Sequence, residues 1–284
     1  MDRVHLTKTT LGVSRFGSDG PVVVLAGGTG MPPIAWEVCG FVELLVAAGF
    51  QVVTYSARGV APSDAPPAPY SIGDMTGDLA ELIEFLEIAP CTVVGYSLGG
   101  FQAELLARSR PELLRSVVLL ASAGPLTDVL DVVITAEGEL LDRLGVIPAS
   151  FLVLEGLLSD LPTQLLLDDP EQVALWRELL AAQTDVWASP DGARGQWHAA
   201  RNWTRDANRI DQLARIEVPV LVAAFEQDVK SPPSGARLAA SIIPHGHAIE
   251  IAGAAHGGLL THTRETFDAL LQFLLSSRED GEAP

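Results

Sequence analysis

Gly95-Tyr96-Ser97-Leu98-Gly99 sets a serine between two glycines, with one residue on either side. A serine hydroxyl is a weak nucleophile until a neighbouring base takes its proton, and a substrate carbonyl must be able to reach it. The G-x-S-x-G spacing meets the second need. A strand that turns into a helix within about two residues leaves the serine at the apex in a strained conformation, and the flanking glycines leave room for that turn. The start of the next helix adds a favourable dipole for negative charge developing there. The chemistry implied is nucleophilic attack on a carbonyl, provided that an imidazole and a carboxylate can be brought to the hydroxyl.

The elements that must position such a serine follow from the apolar pattern. Thr92 to Tyr96 reads as a strand, and Leu98 to Arg108 as a helix with Gly100 allowing close packing. Residues 3–16 read as a hairpin, 21–26 (PVVVLA) as a buried strand ending in Gly27-Gly28-Thr29-Gly30, and 36–48 as a helix closed by Gly49. Residues 50–55 are the next strand. Residues 73–87 are helical by period, through Met75, Leu79, Leu82, Ile83 and Leu86. Strands follow at 116–121, 218–225 and 247–251, with helices at 233–242 and 262–276. Strand-length apolar runs alternating with helical segments predict an α/β fold with a mostly parallel central sheet of about eight strands.

Between Gly124 and about Ala207 the strand signal disappears. This stretch is leucine-rich, helical in period and broken by Gly145, Pro148, Pro162, Pro170 and Pro190. Because the sheet resumes near residue 218, it reads as a helical cap inserted into one domain. The expected organisation is a core over 1–123 and 208–277, a cap over 124–207, and a frayed acidic tail over 278–284.

Composition narrows the partners. A net charge of -18 over 284 residues repels phosphate backbones and anionic headgroups, so neither nucleic acid nor a charged membrane surface is expected. Cys39 and Cys91 form no C-x-x-C pair, which argues against a disulfide framework or a cysteine zinc site. No apolar run reaches the ~18 residues of a membrane span, and Met1-Asp2-Arg3-Val4-His5 has no signal-peptide character. A cytoplasmic location is expected. The oligomeric state stays open, a homodimer included.

Val93-Val94-Gly95-Tyr96-Ser97-Leu98-Gly99-Gly100 resembles the nucleophile elbow of the α/β-hydrolase superfamily. Tyr55-Ser56-Ala57-Arg58-Gly59-Val60-Ala61-Pro62-Ser63 resembles that family's Y-D-x-R-G-x-G-x-S segment, with Ser56 for the usual Asp and Ala61 for the usual Gly. The resemblance covers roughly 20–122 and 209–276 and stops short of the cap. It implies the chain order Ser, acid, His. The last histidine in a strand-to-helix loop is His256, flanked by small residues. Asp228 follows the strand 218–225 and precedes that histidine; Glu226 and Asp128 are the competitors. His262 reads as solvated, and His245-x-His247 as a turn and strand start, since no third metal ligand is near.

The resemblance also implies an oxyanion hole of two backbone N–H groups. One is that of Leu98. The other comes from the loop after 21–26: matching on Trp36 selects Thr29, the slightly preferred alignment, and matching on the strand end selects Gly28. The implied reaction is acyl transfer to water through a Ser97 acyl-enzyme, with no metal or organic cofactor. A serine nucleophile argues against the relatives that use aspartate to open alkyl halides or epoxides. The expected substrate is a small, apolar ester, thioester or related acyl compound. A thioesterase or another pathway-specific hydrolase is the alternative, and a small-molecule binding protein on the same fold is the alternative of another class. The apolar cap segments 151–158 and 165–167 could line a greasy pocket or simply pack the cap, and Trp187, Trp197 and Trp203 could line it too.

Overall fold

The computed structural model describes residues 1–279. Eight strands form one sheet in the order β1-β2-β4-β3-β5-β6-β7-β8. They are β1 (Asp2–His5), β2 (Thr10–Phe16), β3 (Val22–Ala26), β4 (Gln51–Tyr55), β5 (Cys91–Tyr96), β6 (Leu114–Leu120), β7 (Val220–Phe225) and β8 (Gly246–Ile251). The first two pair antiparallel with their neighbours, and β3 to β8 run parallel.

The unbroken valine and leucine runs are explained by burial on both faces. Val24, Val53, Val93, Val117 and Val222 belong to one apolar cluster, whereas Val23, Val52, Val94, Val118 and Leu221 belong to the other. Successive strand residues point to opposite faces, so both faces need a helical cover. On the first face lie α3 (Ile72–Phe85), α4 (Leu98–Ser109) and α10 (Pro233–Ile242); on the second lie α1 (Ile34–Val38), α2 (Phe41–Ala47), α11 (Gly258–Thr261) and α12 (Thr263–Glu279).

One expected helix is split, and another is preceded by a short extra one. The helix expected over 36–48 breaks at Gly40, whose φ of 82° ends α1 and starts α2. The helix expected over 262–276 is α12, which runs on to Glu279, and a separate short helix, α11, precedes it and ends at His262. The expected tail therefore loses its first two residues to α12, and 280–284 lie outside the described residues.

Between β6 and β7 come α5 (Asp128–Leu144), α6 (Ala149–Asp160), α7 (Thr163–Asp168), α8 (Pro170–Ala182) and α9 (Pro190–Thr204). This stretch builds a small core of its own from Leu161, Trp176 and Leu180, on which Leu165 and Leu166 pack. Among the described residues no helix is long and apolar enough to cross a membrane.

The sheet order places the site. From β3 the chain runs to β4 on one side and returns to β5 on the other. The carboxyl ends of β3 and β5 thus flank a topological switch point, where open α/β sheets leave a crevice. The Gly27–Gly30 loop leaves β3 there, and Ser97 leaves β5.

Candidate active site

Ser97 has φ 51° and ψ -118°, a left-handed backbone that a residue with a Cβ adopts only under constraint. The constraint is the close approach of α4 to β5 and β3. A Cβ on Gly95 would lie 2.4 Å from the Gly99 carbonyl oxygen, and one on Gly99 would lie 2.1 Å from that of Ala26. The Ser97 amide donates to Leu120 O at 3.0 Å, which pins the apex to β6.

His256 comes from the loop after β8. Its Nε2 lies 3.2 Å from Ser97 Oγ and its Nδ1 2.7 Å from Asp228 Oδ2. Asp228 sits in the turn after β7, buried, and its other oxygen accepts the amides of Lys230 and Ser231, each at 2.8 Å. Burial alone would raise the Asp228 carboxyl. The charge and hydrogen bond of His256 and the Ser231 amide outweigh it and hold the group below the ordinary carboxylate value. Three residues distant in sequence thus form one hydrogen-bonded chain from carboxylate through imidazole to hydroxyl.

The competing acids lie elsewhere. Asp128 is exposed at the first position of α5, and Glu226 is exposed and accepts the Gly253 amide at 2.7 Å, bracing the loop that carries His256. His262 bonds to Thr261, and no group of three or more His, Cys, Asp or Glu is placed to hold a metal among the described residues.

Beside Ser97 lies the loop after β3. Gly28 is buried against Ser97: a Cβ there would sit 3.3 Å from Ser97 Cβ and 3.4 Å from the Tyr96 ring. Thr29 is exposed, and the Gly30 amide is already donated to Gln196 Oε1 at 2.9 Å. Among the described residues, no loop or turn hydrogen bond takes up the amides of Gly28, Thr29 or Leu98.

Ser97 opens into a cavity of about 440 Å³, within the range of small-molecule sites. Its walls come from the β3 loop, the elbow and the inserted helices, including Val133, Ile134, Leu152, Leu180 and Trp187. Trp197 also lines it. Trp203 does not; it packs on Phe101 and under Arg108 and Arg209. Of the apolar segment 151–158, Leu152 faces the cavity, while Leu154 and Leu158 are exposed.

Sequence reasoning missed the polar part of this wall. Lys230 Nζ lies 2.8 Å from both Glu155 Oε1 and Asp160 Oδ1, with all three side chains largely buried. Burial would lower the Lys230 ammonium, but the two carboxylates outweigh it and raise it. The end of α6 is also sewn to the histidine loop, through His256 N to Ser159 O at 3.2 Å and Gly257 N to Asp160 O at 2.9 Å. Tyr96, the variable residue before Ser97, donates its hydroxyl to His256 O at 2.8 Å. Gln196 bridges the Gly30 amide and the Arg58 carbonyl from α9. None of these carries a local motif; a tyrosine at the second position of the elbow was the one visible hint.

The profile of the alpha/beta hydrolase fold family matches residues 20–263. A Mycobacterium tuberculosis protein named "Putative non-heme bromoperoxidase BpoC" is 33% identical over 264 residues, 92% of this chain and 95% of that protein. Its crystal structure superposes with a TM-score of 0.84 at 31% identity, covering 94% of this chain and 96% of that one. Rhodomycin D methylesterase DnrP of Streptomyces peucetius is 29% identical over 259 residues, 84% of this chain and 85% of that protein. The structure of a hydrolase from Pseudomonas aeruginosa PA01 superposes with a TM-score of 0.81 at 25% identity, covering 96% and 97% of the two chains.

Proposed function

The chain belongs to the alpha/beta hydrolase fold family and is a hydrolase, and on that premise we propose that it cleaves an ester-type bond of a small substrate through an acyl-enzyme on Ser97. The observation that carries this reading is the Asp228–His256–Ser97 hydrogen-bonded chain opening into one cavity. His256 Nε2 takes the Ser97 proton as Oγ attacks the carbonyl. Asp228 holds the ring so that Nδ1 carries its hydrogen, and it stabilises the imidazolium that forms. His256 then gives the proton to the departing alcohol, the acyl group stays on Oγ, and a water deprotonated by His256 releases the acid.

The oxyanion donors in this reading are the amides of Leu98 and Gly28. Gly28 is preferred to Thr29 because its backbone lies against Ser97 whereas Thr29 is exposed. Each such donor is worth roughly 10²–10³ in rate. The inserted helices act as the cap that closes the site and sets its size.

A second reading concerns the acceptor, and the bromoperoxidase name of the mycobacterial relative favours it. Hydrogen peroxide in place of water would take the acyl group from Ser97 and leave as a peracid, with His256 receiving its proton. A thioester substrate would use the same steps with a thiol leaving.

The test is hydrolysis of p-nitrophenyl esters from acetate to dodecanoate by wild type and Ser97→Ala. Wild type should turn over the chain lengths that fit the cavity, and Ser97→Ala should lose on the order of 10⁴-fold or more in kcat. Equal residual rates in the two proteins would exclude Ser97 as nucleophile. Inactivity of wild type toward every ester, with turnover of acyl thioesters, would move the reading to thioester cleavage.

A further inference from the structure

Besides the Tyr96 hydroxyl, the wall of the Ser97 cavity carries five ionisable side chains among the described residues: Glu137 of α5, Glu155 and Asp160 of α6, Lys230 after β7, and His256 after β8. Four of them are engaged. His256 is held between Asp228 and Ser97, and Lys230 is bound by both Glu155 and Asp160. Glu137 is the one left over, with no hydrogen bond or ion pair to any described residue.

Its position makes this notable. Leu130, Val133, Ile134 and Glu137 recur at helical spacing and all line the cavity, so one carboxyl interrupts an otherwise apolar stripe of α5. Glu137 is half-buried, and a partly desolvated carboxyl on a mostly apolar wall, without a partner and repelled by Glu155, carries a cost in the empty site. A substrate group that pairs with it removes that cost. Lys230, the one lysine or arginine in the wall among the described residues, is already shared by two carboxylates, so the vacancy is for positive charge.

We propose that Glu137 is a specificity-determining residue that selects esters bearing an ammonium group, pairing with that cation while Ser97 attacks the carbonyl. This rests on the hydrolase reading above and adds the substrate class to it. Burial, with repulsion from Glu155 and partial relief from Lys230, pushes the Glu137 carboxyl up to about 7. The empty site therefore carries this charge fully only above neutrality, and cation selection should strengthen as pH rises through 7.

The experiment uses permanent cations and their carbon isosteres. Butyrylcholine is compared with 3,3-dimethylbutyl butyrate, which puts the charge in the leaving group. The phenyl ester of 6-(trimethylammonio)hexanoate is compared with that of 7,7-dimethyloctanoate, which puts it in the acyl chain. At pH 8 one cationic member should be preferred at least about tenfold in kcat/KM, or 1.4 kcal/mol. The preference should shrink toward parity at pH 5.5. Glu137→Gln should abolish it and Glu137→Asp should keep part of it. Glu139→Gln, which removes an exposed charge from the same helix, should leave it intact and so exclude the general acidity of the protein as its source.

Neutral esters turned over through Ser97 with no cation preference, or a preference that survives Glu137→Gln, would overturn the proposal and leave the hydrolase reading standing. If no ester is turned over, the ester-cleavage reading fails separately. The proposal is then decided by calorimetric titration with pentyltrimethylammonium: binding weakened about tenfold by Glu137→Gln supports it, and equal or absent binding in both proteins overturns it.

Discussion

Lys230→Met removes a positive charge from between two carboxylates while keeping an unbranched apolar stem. Lys230 Nζ lies 2.8 Å from one oxygen of each partner, so the Glu155 and Asp160 oxygens are no more than twice that distance apart. At such a separation, with an effective dielectric of about 20, two like charges repel by about 3 kcal/mol. The three side chains are 13%, 16% and 15% exposed, so water screens the pair poorly. Breaking a buried ion pair from one side costs about 3–5 kcal/mol, which agrees with the Coulomb figure. For a domain approaching this length each kcal/mol lowers Tm by about 2–4 °C, so Lys230→Met should melt about 6–12 °C below wild type.

The loss should also reach the site. The carbonyls of Ser159 and Asp160 hold the amides of His256 and Gly257, so a loosened end of α6 frees the loop that presents the imidazole. kcat toward a p-nitrophenyl ester should fall several-fold at temperatures where the variant is folded. The decisive comparison is Lys230→Met combined with Glu155→Gln and Asp160→Asn. Removing all three charges removes the repulsion and should restore at least half of the lost Tm. The assay is thermal unfolding followed by circular dichroism at pH 7.5. A single variant melting within 1 °C of wild type, or a triple variant no more stable than the single one, would refute the reasoning.

Glu137→Gln should stabilise the protein in a pH-dependent way. The folded state raises this carboxyl from 4.5 to about 7, so folding favours its protonated form: the penalty is absent below about pH 4.5, grows up to 7 and stays constant above, at no more than about 3 kcal/mol. Tm should rise over wild type at pH 8 and not at pH 4.5; an equal change at both values would count against the shift. Asp228→Asn should lower kcat by about 10⁴-fold at pH 7, because an amide cannot hold the imidazole in the tautomer that accepts the serine proton; steady-state kinetics on one ester checks this. Asp228 is held below the ordinary carboxylate value, so the stability it contributes is present above about pH 4 and disappears only as pH falls through that lowered value. Acid titration of the Asn variant should therefore lack the part of the wild-type transition below pH 4. Gly28→Ala should reduce kcat about tenfold or more with little change in Tm, since its methyl would press on Ser97 Cβ and the Tyr96 ring; unaltered kcat would refute the tight fit of this loop against Ser97.

What could be read from the sequence follows the range over which each signal acts. The sheet was legible because β3, β5, β6 and β7 are buried on both faces, which demands continuous Val and Leu runs that a short window detects. Ser97 was legible for the steric reason now visible in Gly95 and Gly99, where no Cβ fits. Asp228 and His256 could be chosen because parallel strands deliver their next residues to one edge, so a loop position after a strand is already a position in space. The split at Gly40 was missed because a lone glycine is compatible with a helix interior, and its φ of 82° is set by packing on both sides.

The inserted helices hid their polar contribution to the cavity wall for a related reason. The α6 sequence reads as a leucine helix, and nothing within it marks Glu155 as the partner of Lys230 in a distant loop. Yet this pairing has a consequence for the site. Lys230 belongs to the same turn as Asp228, and its backbone amide holds Asp228 Oδ1 while its side chain holds α6. One residue thereby fixes the carboxylate that orients His256 and the helix whose carbonyls hold the His256 loop. An insertion anchored in this way cannot move as a separate body at its α6 end without disturbing the imidazole. Opening for substrate entry should then be confined to the exposed parts of the insertion, such as the α7 segment with Leu167 at its surface, while the α6 end stays closed.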